Sequence, residues 1–206
     1  MALNWQAAVI PPGKSFADVL YDFLLPLEAS STEERYMPAP VLSKGGTQNA
    51  TIGIGFDLRA GGTPVQNAVL KALGFSAAVV DLGKSPTLDG SATAAAQLAE
   101  YSYIQQIRSL VANTSSGSKS GLRTALNAIM AKRASDTTAA YDVVAPIRKS
   151  TFTFSSEAEV KAAFDPLWTT VYRDRITARY SFLADALEPS FSGSRRRPPA
   201  FSSGWV

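Results

Sequence analysis

Thr51-Ile52-Gly53-Ile54-Gly55-Phe56-Asp57-Leu58 is the stretch on which the reading of the fold turns, together with Glu28, which stands 23 positions before Thr51. Thr51, Ile52 and Ile54 are β-branched and alternate with glycines, which predicts a short strand whose backbone is closely approached by another chain or a ligand. By the strand period of two, Thr51, Gly53, Gly55 and Asp57 share one face. A hydroxyl and a carboxylate would then flank a bare glycine floor. The glycines also admit a second reading, a bulge or a tight hairpin.

Upstream, Phe16, Val19, Leu20, Phe23, Leu24 and Leu27 recur at helical spacing behind Ser15, which predicts an amphipathic helix with Ser15 as its N-cap. That face is expected to bury Val19, Leu20, Phe23, Leu24 and Leu27. Pro26 should bend or end the last turn. Glu28 then falls at or just past the helix end, beside the apolar stripe. Carbonyl ends and partial desolvation both act to raise a carboxyl pKa at such a position, so Glu28 is a candidate general acid.

Glu28, Tyr36-Met37-Pro38 and Asn49 to Leu58 together resemble the muramidase domain of pesticin and its relatives, themselves related to T-even phage lysozyme. In that family a helix ends in a catalytic Glu, a Tyr-x-Pro segment enters a small β-lobe, and a Thr-Ile-Gly-x-Gly-[Phe/Tyr]-Asp-Leu strand follows. The resemblance implies an α+β, lysozyme-like fold, with Glu28 as general acid, Asp57 as second carboxylate and Thr51 helping to hold the attacking water. Tyr36, Gly53 and Gly55 are the expected substrate-binding positions. Arg59-Ala60 stands where relatives often continue Gly-Gln. The resemblance is specific over Glu28 to Leu58 and elsewhere rests on helix order.

Composition narrows the chemistry independently. At 206 residues, 46% hydrophobic and 18% charged, the chain suits one soluble domain of two lobes. It has no cysteine and no histidine. Disulfides, thiolate sites, Ser-His-Asp mechanisms and His-containing zinc sites are therefore excluded. Catalysis would fall to carboxylates, Lys, Tyr or Ser, with no cofactor and no metal expected. A formal charge of +3 biases the surface toward anionic partners, and Arg195-Arg196-Arg197 carries much of it.

Aromatics do not interleave with a basic stripe, so a nucleic-acid module is not expected. Met1 to Ile10 lacks the pattern of a signal peptide, and no apolar window reaches about 18 residues, so neither a signal peptide nor a transmembrane helix is expected, and export would need another route. The Gly53-x-Gly55 pair lacks the third glycine and following helix of a nucleotide site.

The expected organisation is a lead-in at 1–14, a muramidase-like domain at 15–187 with a loop-rich β-lobe at about 33–60, and a Pro/Ser/Arg-rich tail at 188–206. Thr63-Pro64 should open a helix closed by Gly74, with a short helix following from Ser76 to Leu82. Ser91 should open a long one reaching Val111 along Leu98, Tyr101, Ile104 and Ile107. Leu122, Ala125, Leu126, Ile129 and Met130 mark another, and Ser135-Asp136 should cap one running through Tyr141 and Val144 to Pro146. Ser156-x-x-Glu159 is a capping-box signature ahead of Val160, Ala163, Phe164 and Trp168, with helix continuing to about Leu187.

Glycoside hydrolysis needs one protonated and one ionised carboxyl on opposite sides of the scissile bond. A separation of about 6.5–9.5 Å leaves room for a water and gives inversion, which a water-orienting Thr51 favours. The substrate implied by the resemblance is the β-1,4 bond between N-acetylmuramic acid and N-acetylglucosamine in peptidoglycan glycan strands. A toxin, effector or endolysin of this kind would be a monomer made in the cytoplasm and delivered to the periplasm or wall of a target bacterium, where an immunity protein could oppose it. The alternative is a catalytically silent wall-binding or scaffold protein. Glu33 and Glu34 are rival carboxylates in a polar loop.

Overall fold

The computed structural model describes residues 13–28, 35–42, 48–113 and 119–173. The lead-in before Gly13, Glu33 and Glu34, the helix expected beyond Arg173 and the arginine-rich tail lie outside these residues. Helix α1 (Phe16–Glu28) precedes a three-stranded antiparallel sheet of β1 (Ala39–Leu42), β2 (Gln48–Ile52) and β3 (Phe56–Asp57) in the order β1-β2-β3. Helices α2 (Gly62–Ala72), α3 (Ala77–Val80), α4 (Ala92–Ala112), α5 (Lys119–Ala134), α6 (Tyr141–Val144) and α7 (Glu157–Leu167) follow, and α7 runs into a π-helical segment, Trp168–Tyr172. The chain is thus mostly helical with a small sheet after its first helix, an α+β arrangement.

Sheet and helices share one core. Ile52, Phe56 and Leu58 meet Val65, Val69 and Leu70 of α2, Ile104 and Ile107 of α4, Leu122 and Leu126 of α5, Phe152 and Phe154, and Val160 and Phe164 of α7. Ser91 caps α4 by accepting the Ala94 N–H, as its position predicts. Gly74 closes α2 at φ 88°, with its N–H on the Lys71 carbonyl and the Phe75 N–H on Leu70, a Schellman end that only glycine enters without strain.

Two boundaries and one capping contact differ from expectation. Helix α2 opens at Gly62 behind Gly61, not at Thr63. Helix α5 runs to Ala134, and no helix starts at Ser135-Asp136: the Asp136 carboxylate takes the Thr138 N–H in a turn, and helix resumes at Tyr141. Glu159 does reach back over the start of α7, but to the N–H of Ser155, one residue before the N-cap Ser156.

The first helix presents a different face from the one its strongest apolar stripe predicts. Ser15 caps it as expected, its hydroxyl accepting the Asp18 N–H while the Asp18 carboxylate takes the Ser15 N–H, a reciprocal capping box. Among the described side chains of α1 the buried one is Tyr21, flanked by Ala17, Leu20, Leu24 and Leu25, and Phe23 is 63% exposed. Val19 is partly buried, and the Leu27 side chain lies outside the description. Tyr21 decides the rotation: its ring lies 5.4 Å from that of Phe164 and its hydroxyl donates to the Glu157 carbonyl. The large cost that a buried Phe23 would carry on truncation therefore does not apply.

One ion pair, Lys161 with Asp18, crosses the same α1–α7 seam, and two more lie beside it. Lys161 pairs with Asp18 at 2.9 Å and with Asp165 at 2.7 Å, and Arg35 pairs with Glu157. The Lys161 ammonium, then the Ser15 hydroxyl and N–H, hold the Asp18 carboxyl well below the usual carboxylate range. A depressed folded pKa contributes stability that is fully present above the unfolded value, about 3.9, and is lost as pH falls toward the folded value. Asp18→Asn is accordingly expected to narrow its stability gap from wild type as pH is lowered from about 5 to about 2. Urea midpoints measured across that range check it, and a gap that stays constant with pH would remove Asp18 from the acid response.

A second, polar centre lies within the helical body. Glu100 and Arg133 are both fully buried and paired through two bonds, Nε to Oε2 at 2.8 Å and Nη2 to Oε1 at 2.9 Å. Glu100 also accepts the Tyr141 hydroxyl and the Ser76 N–H, while Arg133 Nη2 donates to the carbonyls of Gly74 and Ile147. The guanidinium lies over the Phe75 ring at 4.0 Å, and Nη1 has no hydrogen-bond partner among the described residues. This cluster joins α4, α5, α6 and the end of α2 at one point.

Candidate active site

Strands β2 and β3 pair with Thr51 opposite Asp57 and Ile52 opposite Phe56. The Leu58 N–H donates to the Ala50 carbonyl at 2.8 Å, so Ala50/Leu58 is a hydrogen-bonded pair and, by alternation, Thr51/Asp57 is a non-hydrogen-bonded one. Side chains approach most closely in such pairs, with Cβ atoms about 4.5–5.5 Å apart. Ala50, Ile52, Phe56 and Leu58 are buried, and they fill the core face. Asn49, Thr51 and Asp57, half-buried, therefore share the opposite face.

The glycines do not form a strand floor. Gly53 and Gly55 lie in the three-residue loop between Ile52 and Phe56, with φ of 69° and 80°. Both serve the hairpin turn, the second of the two readings their spacing allows, and the period of two stops at Ile52. Gly53 is required twice over: its φ is left-handed, and a Cβ there would meet the Phe56 ring at 2.7 Å. Thr51 and Asp57 nevertheless remain neighbours, because the hairpin brings them together across strands rather than along one.

Asp57 is held by donors on both oxygens. Oδ1 accepts the N–H groups of Arg59 and Ala60 at 2.9 and 2.7 Å, and Oδ2 accepts the side-chain amide of Asn49. The turn continues with the Gly61 N–H on the Asp57 carbonyl, where a Cβ on Gly61 would lie 2.5 Å from that carbonyl oxygen. This is the reason for a glycine directly after Arg59-Ala60. Gln66 of α2 donates to the Leu58 carbonyl, so the carboxylate, its turn and the next helix are fastened together.

Tyr36 enters the sheet region with its carbonyl accepting the Phe154 N–H, and its side chain packs against the core. Arg123 of α5 donates to the Pro38 carbonyl just before β1. Glu28 is the last residue of α1, where the sequence puts it, and its side chain lies outside the description. The structure thus unites Thr51 and Asp57 across the hairpin.

Compared with protein-family models, curated proteins and solved structures, this chain matches none. Among the described residues no group of three or more carboxylates gathers as a metal site would require, and no helix is long and apolar enough to cross a membrane. Asn49 went unassigned in the sequence, although its spacing of two from Thr51 was the signal that puts it on the same face.

Proposed function

We propose that the chain is a muramidase that cleaves the β-1,4 bond between N-acetylmuramic acid and N-acetylglucosamine by carboxylate acid–base catalysis with inversion. The observation that carries this reading is the pairing of Thr51 with Asp57 on the face of β2–β3 that the core does not use. A hydroxyl beside a carboxylate can hold one water between them, the carboxylate accepting its proton as the oxygen attacks the anomeric carbon. Glu28, at the end of α1, would protonate the leaving oxygen from the other side of the bond. The lysozyme-like fold is part of the same proposal, supported by the order of first helix, small sheet and helical body.

One observation favours a silent, wall-binding protein of the same fold instead. Asp57 Oδ1 caps a turn, a task a carboxylate performs without any chemistry. Incubation with purified peptidoglycan separates the two: new N-acetylmuramic acid reducing ends, identified by mass spectrometry, support the enzyme, and binding without new ends supports the scaffold.

Thr51 would orient water and transfer no proton, because an unperturbed hydroxyl does not exchange protons usefully near neutrality. Thr51→Ser is expected to retain more activity than Thr51→Val, which keeps the shape and loses the hydroxyl. Equal rates for the two variants would remove the hydroxyl from the mechanism.

A further inference from the structure

Building on the muramidase reading, we infer that Asn49 is a positioning residue: its side-chain amide sets the plane of the Asp57 carboxylate and so aims the free lone pair of Oδ2 at the water beside Thr51. The two oxygens of Asp57 are held by different elements. Oδ1 is fixed by two backbone N–H groups of the turn that follows, while Oδ2 meets the Asn49 amide at 2.5 Å. The terminal torsion of an aspartate is broad and soft, so bonds to Oδ1 alone leave the carboxylate plane poorly defined. A donor on Oδ2 from a second strand defines it.

Asn49 is suited to this by place and by chemistry. It lies on β2 two residues before Thr51, on the same face, and β2 is flanked on both sides, by β1 opposite Asn49 and by β3 opposite Thr51. A side chain rooted in the central strand is a rigid support. A carboxylate oxygen offers two lone-pair directions, and the amide occupies one, leaving the other for a water proton. An amide also binds without charge, whereas a lysine or arginine at this position would stabilise the ionised carboxylate and make it a weaker base. The residue type thus fits an oxygen that has to accept a proton during turnover.

The test is steady-state hydrolysis of soluble peptidoglycan fragments by wild type, Asn49→Leu and Asn49→Asp, each assayed well below its own unfolding midpoint. Asn49→Leu keeps the approximate shape and removes the donor. It is expected to lower kcat about 10- to 100-fold while KM stays within about threefold, because aim is lost and the glycan contacts are not. Asn49→Asp puts a second carboxylate against Oδ2, and two such groups do not readily ionise together, so the acidic limb of its rate profile is expected to move to higher pH. A residue that only stabilised the sheet would lower the unfolding midpoint of Asn49→Leu and leave its kcat and KM where they are in wild type. An active wild type with kcat unchanged in Asn49→Leu overturns the role of Asn49 and leaves the muramidase reading standing. A wild type that binds these fragments and cleaves none overturns both.

Discussion

Arg133→Met is expected to destabilise the fold by about 3–5 kcal/mol, the largest loss among single substitutions considered for this chain. The reason is what it leaves behind. Glu100 has no exposed surface, and without the guanidinium its charge would keep as donors, among the described residues, the Tyr141 hydroxyl and the Ser76 N–H. The Gly74 and Ile147 carbonyls would lose the same partner, and with Gly74 the Schellman end of α2 is disturbed. Burial, then the bond to Glu100, pushes the Tyr141 hydroxyl far above the ordinary range, so it stays a neutral donor throughout the accessible pH range.

Replacing the whole group should cost less than breaking it. In Arg133→Met with Glu100→Leu and Tyr141→Phe, no buried charge is stranded, and most of the lost stability is expected to return. Urea unfolding of the single and triple variants decides the point. A single variant within about 1 kcal/mol of wild type would show that water reaches Glu100 and that the cluster is not closed.

This cluster was within reach of the sequence. Glu100 lies one turn before Ile104 on the stripe that continues through Ile107 and Val111, and Arg133 lies one turn after Met130 on the stripe of Leu122 and Leu126. Each charge extends an apolar face and so marks a buried position. What the sequence does not carry is the pairing, because residues 33 apart on two helices meet only through the packing of those helices.

The first helix shows a different limit. Leu20 and Leu24 belong to both candidate stripes, so the apolar pattern of α1 fits two rotations. The choice fell to Tyr21, whose ring needs Phe164 of α7 to be worth burying. The hairpin shows a third. Alternating β-branched residues and glycines suit a strand or a turn, and positive φ at Gly53 and Gly55 settles it as a turn. Thr51 and Asp57 kept their shared face because a three-residue loop restores the parity that a continuous strand would have supplied.

On the proposed muramidase reading, the largest functional effect is expected at Glu28. Removing a general acid typically costs about 10²–10⁴-fold in rate, and with no histidine in the chain no imidazole can take its place. Glutamine matches glutamate in length and hydrogen-bonding capacity, so Glu28→Gln should fold as wild type does, bind insoluble peptidoglycan and release no new reducing ends. Asp57→Asn is expected to lose nearly as much by a different route. Its oxygen can still receive the Arg59 and Ala60 N–H groups, which preserves the turn, but its new NH₂ then faces the Asn49 amide, which has to flip to accept from it. The fold survives, and the basic oxygen beside Thr51 does not. Reducing-end release and sedimentation with peptidoglycan, measured on the same samples, separate loss of chemistry from loss of binding. Glu28→Gln cleaving at the wild-type rate would move the acid elsewhere, with Glu33 and Glu34 the next carboxyls in the chain to be changed.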